Sequence, residues 1–377
     1  MEGTLLARGW QVAAVAELSA GDWPDAEHVQ AIMVDAASIH GEEVSEWLKS
    51  GGSKLTIPLV MAPDLSHAEG LAAELEVADA EEKKSSPAVV RFWGVRGSIP
   101  SPGPDTAFYG GNTSCVELSA DGQIIIIDAG SGIRPLGMNL MGRAAATKQP
   151  LEMSLLISHT HWDHIQGLPF FVPAYIPTNK LHVFGYSAVR HHLADILAMQ
   201  MEPTYFPVSM DDMPSHPDVH EVDDHFEIGP VKAIAFFTNH PGRCAGFRFE
   251  TSVGSVAYVS DNEINHEGQA THLPRETADH LMQRMIDTLH GVRILVHDAQ
   301  YTRAEYQTKI GWGHSAMEDV VEVAGAAGVE HLVLFHHDPM RSDADINRMV
   351  RDARAYAVEK GFSLRIDAAR EGMEIYL

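Results

Sequence analysis

Residues 158–164 read Ser-His-Thr-His-Trp-Asp-His and put three histidines and an aspartate into the pattern H-x-H-x-D-H, directly after the apolar run 153–158. Alternate residues leaving a strand point the same way. His159 and His161 can therefore grip one cation, while the following turn swings Asp163 and His164 toward a second. Neutral imidazole and carboxylate are the donors that borderline divalent ions accept, and such ions need three or four of them each. A merely histidine-rich surface loop would not fix four ligand-type residues at this spacing between a strand and a helix start. The chain holds 22 histidines in all, so further ligands are to be sought where other strands end.

The elements that must position such a site follow from pattern. After residue 88 the sequence is strand-rich, with apolar runs at 89–93, 114–118, 123–128, 153–158, 181–184, 231–237, 247–250, 255–260, 294–297 and 331–335. The run at 123–128 is four isoleucines closed by Asp128, the composition of a strand buried on both faces. Amphipathic helices are predicted at 188–199, 276–289, 316–327 and 343–359. Two sheets with helices outside them are the natural packing.

Residues 79–87, DAEEKKSSP, have the composition of an interdomain linker. The predicted organisation is therefore a small domain at 1–78, a linker at 79–88 and the larger domain at 89–377. In the first, strand-like runs at 11–15, 31–34 and 58–61 alternate with helical patterns at 42–49 and 68–76, a small α/β unit. It resembles a truncated response-regulator receiver, with Asp35 where the phosphate-accepting aspartate would stand. The acidic pair and the lysine of such receivers are missing from the pattern, and a docking or dimerisation module in which Asp35 merely ends a strand is the alternative.

Composition bounds the function classes. The chain has 377 residues, 45% of them apolar, with 27 Lys and Arg against 52 Asp and Glu and a formal charge of -25. That length allows two or three compact units with ample core. So acidic a chain should repel long nucleic acid and anionic membrane surfaces, which favours small substrates. The two cysteines, Cys115 and Cys244, cannot form a disulfide framework and suit a reducing compartment. No apolar run approaches the roughly 18–20 residues of a membrane span. A cytoplasmic protein is expected.

The H-x-H-x-D-H loop resembles that of the metallo-β-lactamase superfamily, and the remaining ligands that the resemblance implies occur at strand ends. His240, in TNHPG, corresponds to the third histidine of a first ion; Asp261, in AYVSDNE, to the aspartate bridging two ions; and His336, in LVLFHHDP, to the last histidine of the second. The implied metal set is His159, His161, Asp163, His164, His240, Asp261 and His336. The implied fold is an αββα sandwich, here preceded by the small α/β domain. The implied cofactors are two divalent ions, zinc foremost, with manganese or iron as alternatives. Gly311-Trp312-Gly313-His314-Ser315 looks like the G-H-S motif of the ribonuclease Z and phosphodiesterase branch, and His297-Asp298-Ala299 like its His-acid-Ala segment, with aspartate where ribonuclease Z usually has glutamate. His314 is then the proton donor, Asp298 its orienting carboxylate, and Asp163 both ligand and orienter of the attacking water. The segments RFWGVRGSIPSPG at 91–103 and YGGNTSC at 109–115 look like the opening hairpin of the same proteins.

Asp128, in DAGSG, either braces the ligand loop or caps a strand. Arg96, Arg134 and Arg243 are candidates to meet a phosphate. Residues 199–220, proline-rich and acidic, look like a lid over a small pocket, and Tyr205, Phe206 and Trp312 could stack on a base. The expected function is hydrolysis of a small phosphodiester, a cyclic or short nucleotide. The rivals are a thioester or lactone hydrolase of the same fold, which needs no G-H-S histidine, and a metal-dependent nucleotide sensor with little turnover. Relatives of this type imply a homodimer as one assembly.

Overall fold

The computed structural model describes the backbone at residues 32–35 and 59–62, and residues 88–186, 191–264 and 273–377 in full. The chain divides into two compact units, Met1–Ser85 and Ser86–Leu377. In the first, β1 (Ile32–Asp35) and β2 (Leu59–Ala62) pair in parallel, Ile32 opposite Leu59, and Asp35 closes β1. The runs expected at 11–15, 42–49 and 68–76 lie outside the described residues.

The second unit is built on two seven-stranded sheets. One contains β3 (Ala88–Gly94), β4 (Cys115–Ala120), β5 (Gln123–Ile127), β6 (Glu152–Ile157), β7 (Lys180–Gly185) and β8 (Asp218–Glu221), with β16 (Glu374–Tyr376) added beside β3. The other runs from β9 (His225–Ile228) through β10 (Val231–Phe237), β11 (Ala245–Thr251), β12 (Gly254–Val259), β13 (Ile294–Asp298) and β14 (His331–Phe335) to β15 (Arg365–Ala368). Side-chain alternation explains why several strands read as continuous apolar runs. In β5, Ile125 and Ile127 enter the core between the sheets with Phe247, Tyr258 and Phe335, while Ile126 points outward into a second core. In β14, Val333 and Phe335 face the inner core and Leu332 and Leu334 the outer one.

Helices cover both outer faces. On the first sheet lie α1 (Ile133–Thr147), the short α2 (Trp162–Ile165) and α3 (Leu193–Met199), whose Leu136, Leu140, Ile165, Leu193 and Leu197 are buried there. On the second lie α4 (Arg275–Leu289), α6 (Met317–Ala326) and α7 (Asp343–Glu359), contributing Met285, Val320, Ala324, Ile346 and Ala353. Between α4 and α6 runs the short α5 (Arg303–Tyr306). The result is the four-layer αββα sandwich.

Direction of the strands decides where chemistry can gather. β5 and β6 are parallel, as are β12, β13 and β14. β10 is antiparallel to β11 and β11 to β12, so β10 runs with β12. The C-terminal ends of β10, β12, β13 and β14 therefore open on one edge, the side on which parallel sheets leave room for ligands.

Candidate metal centre and active site

That edge gathers all seven candidate ligands. His159, His161, Asp163 and His164 follow β6; His240 follows β10, Asp261 β12 and His336 β14. Nitrogens of His159, His161 and His240 lie within 4.8 Å of one another, as do donor atoms of His159, His164 and Asp261 and those of Asp163, His164 and His336. Asp261 stands between the groups. One of its oxygens lies 3.8 Å from His159 Nε2 and 3.7 Å from His240 Nε2, the other 3.3 Å from His164 Nε2 and 3.4 Å from His336 Nε2. Asp163 Oδ2 is 3.2 Å from both His164 Nε2 and His336 Nε2.

The donor set fits a pair of divalent cations. His159 Nε2, His164 Nε2 and Asp261 Oδ1 are buried and make no hydrogen bond with acceptable geometry, although they lie close together. Native interiors rarely leave such groups unpaired, and converging nitrogen and carboxylate donors are the chemistry a borderline metal satisfies. Protonation in the metal-free chain points the same way for three of the histidines, whereas at His164 burial is outweighed by Asp163, Asp261 and Asp128, which raise its imidazole well above the ordinary value. Burial lowers the His159 and His161 imidazoles below their ordinary value and takes His240 down to about 4, keeping them in the neutral form that ligates. Burial by itself would lift the Asp163 and Asp261 carboxyls, but the His164 and His336 imidazoles hold both below the usual carboxylate range.

The ligands are held from behind. Asp128, fully buried after β5, accepts from Ser158 N–H at 2.7 Å, Ser158 O–H at 2.8 Å and Tyr258 O–H at 2.7 Å, and pairs with His164 Nδ1 at 2.8 Å. It is thus a brace for the ligand loop and more than a strand cap. Its φ of +64° and the +56° of His336 place two non-glycine residues in the left-handed region, where about 1–2 kcal/mol of backbone cost is tolerated for side-chain placement. The Ser98 N–H donates to Asp163 Oδ2 at 2.7 Å. His240 Nδ1 pairs with the Gly313 carbonyl at 2.9 Å, which leaves Nε2 for the cluster. Gly313 has to be glycine: φ is +86°, and a Cβ would sit 2.3 Å from His240 Nδ1.

Beside the cluster, His314 Nδ1 and Asp298 Oδ2 are 3.0 Å apart, and Asp298 is wholly buried. Burial pushes the His314 imidazole down, but the adjacent Asp298, with Asp261 and Asp163 further off, raises it to about 9. Its Nδ1 is committed to Asp298, so Nε2 is the nitrogen available to a substrate. An open pocket of about 450 Å³ is lined by Ser98, Thr160, His161, Trp162, Asp163 and His314 among others. Ser98, Thr160 and Trp162 were not anticipated as lining. The only sequence signal was the position of Thr160 and Trp162 between ligand residues.

Two expectations are corrected. Residues 199–220 contribute nothing to the pocket lining; Met201, Met210 and Met213 instead anchor the segment in the outer core of the first sheet, and Phe206 packs edge-on against Phe170. Arg96 is buried and donates to the carbonyls of Gly110 at 2.8 Å and Arg341 at 2.7 Å, so it ties loops together and is not presented to a phosphate. Arg134 and Arg243 are exposed, the latter over the Phe237 ring. Cys115 and Cys244 are buried free thiols. Among the described residues no helix is long and apolar enough to cross a membrane.

Comparison with known proteins agrees with this architecture. A family model described as Beta-lactamase superfamily domain matches residues 123–337. Ribonuclease Z of Natronomonas pharaonis is 23% identical over 283 residues, 66% of this chain and 86% of its own length. Among solved structures, the metallo-beta-lactamase fold protein YhfI from Bacillus subtilis superposes with a TM-score of 0.55 at 16% identity, over 77% of this chain and 99% of YhfI. Unliganded yeast PDE1 gives 0.58 at 13% identity, over 78% of this chain and 100% of PDE1.

Proposed function

The chain belongs to the beta-lactamase superfamily, and from that premise we propose that it is a metal-dependent phosphodiesterase acting on a small phosphodiester, a cyclic or short nucleotide. The observation that carries the reading is the His314–Asp298 pair, 3.0 Å apart, on the wall of the pocket that the His and Asp cluster floors. A thiolate leaving a thioester does not call for such a donor; an alkoxide leaving a phosphoryl centre does. The name ribonuclease Z, carried by a relative, supports a phosphodiester as the bond cleaved.

In this reading His159, His161 and His240 would hold one ion and His164, His336 and Asp163 the other, with Asp261 within reach of both groups. Bound there, two divalent ions, zinc foremost, supply the positive charge that ionises water near neutral pH and neutralises phosphoryl oxygens. The rest is the chain's own work. Asp163, anchored by the Ser98 amide, orients the attacking water. As the new oxygen–phosphorus bond forms and the bond to the leaving oxygen breaks, His314 passes the proton on its Nε2 to that oxygen. Asp298 keeps the ring in place and stabilises its protonated form before transfer. The residues given a role in this reading all fall within 89–377, and we take 1–78 as a separate domain and 79–88 as its linker.

Two facts support a small substrate: the pocket of about 450 Å³ falls in the range of roughly 300–1,000 Å³ typical of small-ligand sites, and the net charge is -25. The test is a panel of bis-p-nitrophenyl phosphate, cyclic nucleotides, dinucleotides, structured RNA and a glutathione thioester, with metal analysis alongside. Turnover of the cyclic nucleotides or dinucleotides is expected, and His314→Ala should lower kcat on them about 10²–10⁴-fold without changing metal content. Preference for structured RNA would refute the small substrate. Thioester turnover without phosphodiester turnover would refute the reaction.

A further inference from the structure

Two residues beyond Asp261, the fully buried Glu263 has no part in the reaction described above. Its Oε1 accepts from Tyr306 O–H at 2.7 Å and from Gly311 N–H at 2.7 Å, and its Oε2 from Gly313 N–H at 2.8 Å. A carboxylate taken out of water is costly unless hydrogen bonds compensate it, and here two of those bonds go to backbone amides of the loop that carries His314.

The turn around Glu263 binds both neighbouring loops. Glu263 N–H donates to Asn239 O at 2.8 Å, and Asn262 Oδ1 accepts from Asn239 N–H at 3.0 Å, fastening the residue before His240. Ser315 O–H donates to Asn262 O at 2.6 Å, fastening the residue after His314. Gly311 and Gly313, at φ of +85° and +86°, have backbone freedom that glycine does not itself restrict. Fixing their amides on one carboxylate removes that freedom. It also holds the Gly313 carbonyl against His240 Nδ1.

We infer that Glu263 is a positioning residue: its carboxylate clamps the Gly311–Ser315 loop so that His314 meets the leaving oxygen. The inference rests on the reading of His314 as proton donor. Glutamine at 263 is nearly isosteric, but its amide NH2 must face at least one of the loop N–H groups, donor against donor. The clamp then opens while the shape is kept.

The experiment compares two esters of one nucleoside phosphate, one with a p-nitrophenolate leaving group that needs no proton and one with an alkoxide that does. Loss of proton donation costs about 10²-fold or more on the alkoxide ester and little on the other. His314→Ala should show that pattern. Glu263→Gln should show it too when assayed at saturating metal, with kcat on the alkoxide ester down about 10-fold or more, and the double variant should be no worse than His314→Ala alone. Amide hydrogen exchange in the metal-free protein gives a readout apart from activity: Gly311 and Gly313 should exchange faster in Glu263→Gln. Equal losses on both esters, additive effects in the double variant, or unchanged exchange would overturn the inference. If His314→Ala is itself insensitive to the leaving group, the proton-donor reading falls and the inference with it. If His314→Ala is sensitive and Glu263→Gln is not, only the inference falls. Should Glu263→Gln fail to fold, Tyr306→Phe, which keeps the carboxylate and removes one donor, must give the same ester preference in smaller measure; equal losses on both esters would again overturn it.

Discussion

Asp128 is the position at which stability and metal affinity should fall together. Its Oδ1 accepts the Ser158 amide, while its Oδ2 meets Ser158 O–H, Tyr258 O–H and His164 Nδ1. Asparagine keeps the size and tolerates the left-handed backbone, φ +64°. It offers only one acceptor oxygen, however. If that oxygen keeps the Ser158 amide, an NH2 group is turned toward three groups that had been donating; if it flips, the NH2 faces the amide instead. Even in the flipped arrangement one charge-assisted bond is lost, worth about 1.5–3 kcal/mol, and a buried N–H is left facing a donor, at about 1–3 kcal/mol more. The expected destabilisation of the metal-free protein is therefore roughly 3–5 kcal/mol.

The same change takes the carboxylate away from His164 Nδ1, in one arrangement setting an NH2 against it and in the other leaving a neutral amide oxygen, and so loosens the ring orientation that aims Nε2 at Asp163 and Asp261. Losing such a partner costs about 10–100-fold in metal affinity. Urea unfolding of the chelator-treated protein and competition titration with a metal-sensitive dye measure the two effects separately. Tyr258→Phe is the control: it removes one donor, leaves the carboxylate intact, and should cost roughly 1.5–3 kcal/mol with little change in metal binding. Asp128→Asn unfolding within about 0.5 kcal/mol of the parent, with unchanged metal affinity, would refute the reasoning.

Asp163→Asn should nearly abolish turnover, because Asp163 is candidate ligand and water orienter at once; a variant that retains its metal and most of its rate on a phosphodiester would contradict that double role. Gly313→Ala forces a Cβ to 2.3 Å from His240 Nδ1, so its metal content after dialysis should drop, and full retention of both ions would show that the loop can shift without consequence. His337 is buried, and burial takes its imidazole down to about 3 from 6.5, the Ala369 carbonyl opposing only in part. A lowered folded-state value means stability present above pH 6.5 and lost as pH falls from there toward 3. Between pH 7 and pH 5 the contribution lost is about 2 kcal/mol. Urea midpoints of the parent and of His337→Gln at those two pH values test it, and parallel pH slopes would remove His337 from the account.

Much of the larger unit was legible because burial writes itself into strands. The ten apolar runs expected after residue 88 all correspond to strands, and α7 (Asp343–Glu359) falls on its predicted limits, with Ser342 and Asp345 forming a capping box at its start. What escaped were elements whose identity comes from their neighbours. β8, β9 and β15 read DVHE, HFEI and RIDA, too short and polar to stand out until an adjacent strand pairs with them. α1 was hidden by Pro135, Gly137 and Gly142. Proline in the first turn costs no helical hydrogen bond, and Ile133, Leu136, Gly137 and Leu140 still form one buried stripe.

The candidate site divides along the same line. Candidate ligands are legible because metal chemistry restricts residue type and because each has to follow a strand to reach the others, so His240, Asp261 and His336 could be sought from the H-x-H-x-D-H loop. Residues that hold the ligands carry no such signature. Asp128 looked as much like a cap as a brace, and Arg96 looked like a phosphate contact until its burial against the Gly110 and Arg341 carbonyls was visible. Glu263 reads as one more acid in a chain with 52 Asp and Glu. Only the fold brings Tyr306, Gly311 and Gly313 onto its carboxylate, from 43 to 50 residues away. A supporting group is defined by what it faces across the structure, so the residues that set the geometry of this centre become visible only once the strand ends have been brought to one edge.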